Sequence, residues 1–321
     1  MIQAAPLIFR PLLKHALWGG TRICRLKGIP AAGADIGESW EISAVIGRES
    51  VVTRGLYKGM TLPELIYRFG SALLGTRVYE TYGHNFPLLV KIIDASDNLS
   101  VQVHPDDRLA RIRHNTFGKT EMWYVLEASP GARIYAGLNR KLDAASFEEL
   151  VEKGEFASVV ASHKSEAGDV YFLPAGCVHS IGAGNLLVEI QQSSDITYRI
   201  YDFDRRDAAG NKRELHTELA KDAIDYNLSR QYKLPHLDAE AKDVEIARCS
   251  HFTARRVLVD GPRHMCFDPG SFTIILCMEG ACRLTWDNGQ LDLRKGHTVL
   301  LPAILSEIEI SGHATILTAQ A

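Results

Sequence analysis

The sequence predicts a mainly β fold, two jelly-roll β-barrel modules with a few α-helices inserted. Three observations carry this. Most of the chain consists of short apolar or alternating runs punctuated by Gly, Pro, Asp and Asn, the pattern of strands and turns. No βαβα alternation and no G-x-G-x-x-G fingerprint occur, which disfavours a doubly wound dinucleotide fold. A weak internal repeat is visible: "EMWYVLEASPGARIY" followed by "AGDVYFLPAG" resembles "FTIILCMEGACRLTW" followed by "RKGHTVLLPAIL", with Gly168 and Gly296 each six residues ahead of Pro174 and Pro302. Two copies of one β-barrel module is the natural reading; two unrelated β-sandwiches are the alternative.

Taken in chain order, the first helical signal is "TLPELIYRFGSALLG", where Thr61, Pro63 and Glu64 make a capping-box start. "PLLVKIIDAS" reads as a strand, as does "NLSVQVHPDD". In the latter, period-two alternation points Ser100, Gln102 and His104 one way and Leu99, Val101 and Val103 the other. The acid pair Asp106 and Asp107 is expected to cap a turn after Pro105. "TEMWYVLEA" is a further strand. "LDAASFEELVEKGEF" is a helix with Asp143 as cap and Gly154 as stop. "DVYFLPA", "NLLVEIQQ" and "ITYRIYDF" read as strands, and "LHTELAKDAIDYNLS" as a helix capped by Thr217. The charged connection "HLDAEAKDVEIA" suggests a boundary, with a larger domain over 1–235 and a C-terminal β domain over 236–321 built from "FTIILCMEG", "CRLTWDNGQLDL" and "HTVLLPA".

The chain's 321 residues leave ample length to bury a core. A formal net charge of −3 offers no basic field for nucleic acid or an anionic membrane. No apolar run is long enough for a transmembrane helix. The N-terminus lacks a basic segment followed by an apolar one, so it is not read as a signal peptide. None of the six cysteines forms a C-x-x-C pair, and most sit in apolar surroundings, which reads as buried free thiols in a reducing, cytoplasmic setting.

The polar face of "NLSVQVHPDD" is the chemical signal. Gln102 and His104 share it; "GKTEMWYVL" follows, with Lys119, Glu121 and Trp123 on one face; "AGDVYFLPAGCVHS" then brings His179 after a Pro-x-Gly turn. Two neutral imidazoles, a carboxylate and an amide oxygen make a four-ligand shell that suits Zn²⁺ and also Fe²⁺, Mn²⁺ or Co²⁺.

That order is similar to the split metal motif of the cupin superfamily. Gly168, Pro174, Gly176 and His179 fit its second half, whereas Gln102 stands where many cupins place their first His. Gln-x-His within "LSVQVHPDD" followed by "GKTEMWYVL" resembles type I mannose-6-phosphate isomerase (phosphomannose isomerase). "ALWGG", "GESWEIS", "NFPLLVKIIDASDNLSVQVHPDD" and "QQSSDITYRIYDFDR" agree, so the resemblance covers about residues 5 to 215. The compact segment between Gln102 and Glu121 points to the shorter bacterial type. The resemblance implies two cupin-like modules, with Gln102, His104, Glu121 and His179 as ligands of one Zn²⁺ per chain. It implies Arg199 as the catalytic arginine, and Lys119, Lys91, Ser100 and Asp195 as groups that meet the substrate; the base is open among Lys119, a metal-bound water and Asp195.

The residues themselves agree with this assignment. Asp195, Thr197 and Arg199 are spaced by two, as on one strand face, and a sugar phosphate needs cations in its pocket. Lys91 lies in the apolar run "LLVKIID", where a charge is costly unless it faces a polar cavity. A bland alternative for Arg199 is an ion pair with Asp195 or Asp202. The C-terminal module carries Glu307 where His would stand and is read as a metal-free copy. The activity implied is reversible conversion of D-mannose 6-phosphate to D-fructose 6-phosphate through a cis-enediolate, by a monomer or homodimer whose partner is a small sugar phosphate. A metal-dependent cupin oxygenase and a non-catalytic sugar-binding bicupin are the alternatives. An oxygenase does not need Gln102 with the basic set Lys91, Lys119 and Arg199, and a binder does not need Lys119 and Arg199 beside a complete ligand set.

Overall fold

In chain order the N-terminal part forms strands β1 (Leu12–Gly20), β2 (Ile36–Ile42), β3 (Leu88–Ala95), β4 (Val101–Val103), β5 (Glu121–Ala128) and β6 (Arg133–Leu138). It continues with β7 (Val160–Lys164), β8 (Val170–Leu173), β9 (His179–Ile181), β10 (Asn185–Gln192) and β11 (Tyr198–Tyr201). The helices are α1 (Arg22–Lys27), α2 (Leu62–Phe69), α3 (Ser71–Leu74), α4 (Thr76–Tyr82), α5 (Asp107–His114), α6 (Ala144–Glu152) and α7 (Thr217–Ala223). The C-terminal part adds β12 (Asp243–Arg248), β13 (Thr253–Asp260), β14 (Arg263–Cys266), β15 (Thr273–Trp286), β16 (Gly289–Arg294), β17 (Thr298–Leu301) and β18 (Glu307–Gln320). These elements come from a computed structural model that describes every residue except 1, 32–34, 208, 228–230, 236 and 239. The boundary expected at 235/236 falls at His236, outside the described residues.

Three antiparallel sheets result. The first has the order β1-β2-β3-β10-β5-β8, the second β11-β4-β9-β6-β7, and the third β12-β13-β18-β15-β16 with β14 on β18 and β17 on β15. The expectation of a mainly β fold with few helices holds. The expected barrels are open: among the described residues no sheet closes on itself.

β3 and β10 are buried on both faces, so Lys91 and Asp94 of β3 and Asn185, Glu189, Gln191 and Gln192 of β10 are buried with their apolar neighbours. Val90, Ile92, Val188 and Ile190 pack with α2–α4 and with Ile274, Leu276 and Leu317 of the third sheet in one shared core. Ile93 and Leu187 face the other way, into a core with Trp123, Ile134 and Ile181 that lies between the first two sheets. Within β15 the alternation is the same: Ile274 and Leu276 face the first sheet, whereas Ile275 and Cys277 join the third sheet's own core.

Several local expectations hold and others need correction. Thr61 and Glu64 do form a capping box, and Asp143 caps α6 through Ser146 N–H. α7 begins at Thr217, but His216 rather than Thr217 occupies its N-cap. α1, α4 and α5 were not foreseen; Asp106 caps α5 by accepting from Leu109 N–H, so the acids after Pro105 start a helix and not merely a turn. α5 is short and strongly polar, and its apolar contribution is chiefly Leu109 and Ala110, too little for a periodicity argument. The run "CRLTWDNGQLDL" turns into β16, but its first part and the run "FTIILCMEG" share one long strand, β15, with a bulge between Cys277 and Glu279. Gly280 permits this: its φ is +71°, and a Cβ there would lie 2.1 Å from the His313 carbonyl oxygen of β18.

Candidate metal centre and substrate cleft

Facing strands bring the polar side chains together. Gln102 of β4 pairs with His179 of β9 on one side and with Arg199 of β11 on the other. His104 follows immediately after β4, and Glu121 opens β5 in the opposite sheet. Gly176, at φ +88°, turns the chain between β8 and β9. Its N–H donates to the His104 carbonyl at 2.9 Å, and its carbonyl accepts from Asp225 N–H at 2.9 Å. The turn that delivers His179 is thereby tied to the strand that delivers His104.

The ligand-capable atoms of His104, Glu121 and His179 lie within 4.8 Å of one another, and all three side chains are buried. Each imidazole is oriented by a main-chain carbonyl: Nδ1 of His104 donates to Ile196 O and Nδ1 of His179 to Cys177 O, both at 2.9 Å. An Nδ1 against a carbonyl must carry the proton, so each Nε2 presents a lone pair. Burial first, then the Lys119 ammonium, holds His104 well below the usual imidazole range and His179 down to about 3. Both rings are therefore neutral and able to ligate.

Burial, with Glu189 nearby, pushes the Glu121 carboxyl up to about 7 against the opposing pull of Lys119. Glu121 Oε2 accepts from the Lys119 ammonium, which also lies 3.0 Å from His104 Nε2. Glu121 Oε1 is buried without any hydrogen-bond partner, 3.3 Å from His179 Nε2. Glu121 Oε1 thus has no donor and faces a His179 Nε2 lone pair whose donor is the Gln102 amide at 3.3 Å, a buried arrangement that a cation between them would relieve. The donor set therefore fits a divalent metal, which would compete with Lys119 for Glu121 Oε2 and His104 Nε2. Gln102 directs its amide nitrogen to His179 at 3.3 Å and its oxygen to Ser100 Oγ at 3.3 Å. To ligate, it must turn its amide over.

A cleft of about 150 Å³ opens beside this cluster. Lys91, Ser100, Gln102, Lys119, Asp195 and Arg199 all line it. Lys91 and Ser100 are buried, whereas Asp195 is exposed. β11 begins only at Tyr198, so Asp195 and Thr197 precede the strand, yet both still reach the cleft with Arg199. The ion pair considered for Arg199 is not formed: Asp202 instead binds Arg205 at 2.7 Å and Arg213. Arg199 Nη1 donates to the Glu214 carbonyl at 2.7 Å, and its Nε is buried without a partner. Burial, then Arg213, lowers its pKa. Of the cleft's cations, Lys91 pairs with Glu189 at 2.9 Å, Lys119 with Glu121, Lys14 with Glu38 at 3.7 Å and Arg213 with Asp202. Among the described residues Arg199 has no carboxylate partner, which leaves its charge available to an incoming anion.

Glu189 is the residue the sequence reading missed. It sits opposite Lys91 in the β3–β10 register, accepts from Lys91 at 2.9 Å and from Trp123 Nε1 at 2.8 Å, and lies 3.8 Å from Lys119. Burial alone would raise its pKa; Lys119, Lys91 and these hydrogen bonds outweigh it and hold the carboxylate ionised. Burial alone would likewise lower Lys91, but Glu189 and Glu38 keep it raised. A lone acid in the apolar strand "NLLVEIQQ" is the same signal that drew attention to Lys91. Glu38 and Lys14 also wall the cleft, with Lys14 over the Trp40 ring at 4.3 Å.

Comparison with known proteins gives a consistent relationship. The family model described as phosphomannose isomerase type I, catalytic domain, matches residues 8–130, and that of the mannose-6-phosphate isomerase cupin domain matches residues 243–320. The chain is 36% identical over 315 residues to mannose-6-phosphate isomerase ManA of Bacillus subtilis, covering 96% of each. It is 34% identical to the mannose-6-phosphate isomerase of Streptococcus mutans, covering 98% of each. The crystal structure of the Bacillus subtilis mannose 6-phosphate isomerase superposes with a TM-score of 0.84 at 30% identity, covering 98% of this chain and 99% of that one.

Proposed function

The chain belongs to the type I phosphomannose isomerase family, and from that premise we propose that it interconverts D-mannose 6-phosphate and D-fructose 6-phosphate at the cleft beside His104, Glu121 and His179. The observation that carries the reading is the junction of that buried ligand set with a cleft whose one unpaired cation among the described residues is Arg199. Gln102 completes the ligand set once its amide is turned, and the resident ion is taken as Zn²⁺, which suits two imidazoles, a carboxylate and an amide oxygen. When bound, the metal would supply Lewis-acid polarisation of a sugar oxygen.

The remaining work falls to side chains of this chain. Moving a proton from C2 of the aldose to C1 of the ketose builds negative charge on oxygen in a cis-enediolate. Arg199 faces that charge with a guanidinium already partly stripped of water and free of a counter-ion, the preorganised arrangement that lowers a barrier most. Lys119, held between Glu121 and His104, is assigned the proton exchange with the sugar. Lys91 is held by Glu189 as a fixed positive wall, and Ser100 and Asp195 are assigned to the sugar hydroxyls.

The test is turnover of D-mannose 6-phosphate before and after treatment with a chelator, with Zn²⁺ added back. The expected result is loss of activity on chelation and recovery with zinc. Folded, metal-loaded protein without turnover overturns the assignment of substrate.

A further inference from the structure

A larger pocket, of about 610 Å³, lies away from the cleft at the seam between the first and third sheets. That size is typical of small-molecule sites. Ile8, Leu13, Ile29, Leu293 and Val299 make its walls mainly apolar. It backs directly onto the catalytic cleft, because side chains alternate along β1 and β2. Lys14, Glu38 and Trp40 face the cleft, whereas Leu13 and Glu41 line the seam.

Its polar groups are not balanced. Glu41 Oε2 accepts from Lys27 Nζ at 2.6 Å, and Asp292 is paired with Arg283 at 2.6 Å, so both lining acids are neutralised. Arg10 and Arg54 also line the pocket, both exposed, and among the described residues neither guanidinium has a carboxylate partner. An apolar chamber rimmed by two guanidiniums without carboxylate partners is complementary to an anion with an apolar body.

We propose that the seam pocket is a second ligand site that takes a small organic anion with an apolar, aromatic or branched aliphatic body. The body occupies the space between Leu13, Ile29 and Val299, and the negative group meets Arg10 and Arg54. This goes beyond the isomerase activity and uses none of the residues assigned to it.

The probe is 1-anilinonaphthalene-8-sulfonate, which has this shape and charge; uncharged N-phenyl-1-naphthylamine is the control for the anion. Both are titrated by fluorescence against the full chain, with a cooperative thermal transition confirming that each variant is folded. The expected result is saturable one-site binding of the sulfonate, at least tenfold tighter than the uncharged analogue and unaffected by saturating D-mannose 6-phosphate. It should weaken at least tenfold in the Arg10→Ala/Arg54→Ala double variant and in Leu13→Trp, which fills the pocket from a partly exposed position. Absence of saturable binding, displacement by D-mannose 6-phosphate, or affinity equal to wild type in either variant overturns the proposal.

Discussion

Replacing Arg199 with Ala removes the one cleft cation that has no carboxylate partner among the described residues, and the size of the effect follows from its surroundings. A charge about 4 Å from a developing oxyanion, at an effective dielectric of about 20, interacts by about 4 kcal/mol. Loss of a single preorganised donor to such an oxygen ordinarily costs about 10²–10³ in turnover. Arg199 is only partly buried, so solvent screens some of its field and the lower end, about 100-fold in kcat, is expected. The ligand atoms of His104, Glu121 and His179 do not depend on the guanidinium, which donates to the Glu214 carbonyl. Metal content should therefore stay at the wild-type level. The assay is a coupled measurement of D-fructose 6-phosphate formation alongside elemental analysis of the same sample. A fall in metal content that matches the fall in kcat, or a kcat within about threefold of wild type, refutes the assigned role.

Gly176→Ala should lower stability by about 1–3 kcal/mol, since φ is +88° there and the new Cβ would lie 3.0 Å from the Ala223 carbonyl oxygen; an unchanged denaturant midpoint would contradict this. Asp202 gives a pH prediction. Burial would raise its pKa, but hydrogen bonds from Arg213 and Arg205 outweigh that and hold it below the usual carboxylate range. A depressed folded-state pKa contributes stability that is present above the unfolded value of about 3.9 and lost as pH falls through the folded value. The gap in urea midpoint between wild type and Asp202→Asn should therefore be constant above about pH 5 and shrink below about pH 4; a gap that does not narrow in acid counts against the ion-pair account.

Much of the candidate site was legible because its residues lie on short strands with a strict period. Ser100, Gln102 and His104 declare a polar face at once, and the Pro-x-Gly turn before His179 is a local signal. Lys91 was legible as an anomaly, a charge in an apolar run. Glu189 was the matching anomaly, but its meaning depends on the register between β3 and β10, which adjacent sequence does not encode. The absence of an Arg199–Asp202 pair was likewise invisible: Arg205 takes Asp202 from three residues away, and Arg213 reaches it only after the chain has folded back. In the fold, α5 and the continuous β15 escaped for opposite reasons. α5 has too few apolar positions to show a period, and β15 contains Gly280, which looks like a turn but serves as a close approach between strands.

The Lys91–Glu189 pair has a consequence for how the chain finds its structure. Both neighbours of Glu189 along β10, Val188 and Ile190, point into the core shared with the third sheet. A slip of β10 by one position would turn the carboxylate into that oily layer and leave the Lys91 ammonium buried alone. Each stranded ion would cost several kcal/mol, whereas a slip among valines and isoleucines alone would cost little. The two opposite charges thus act as a keyed joint between these strands, together with the buried Asp94, Asn185 and Gln191 of the same pair, and favour one alignment before any substrate is present.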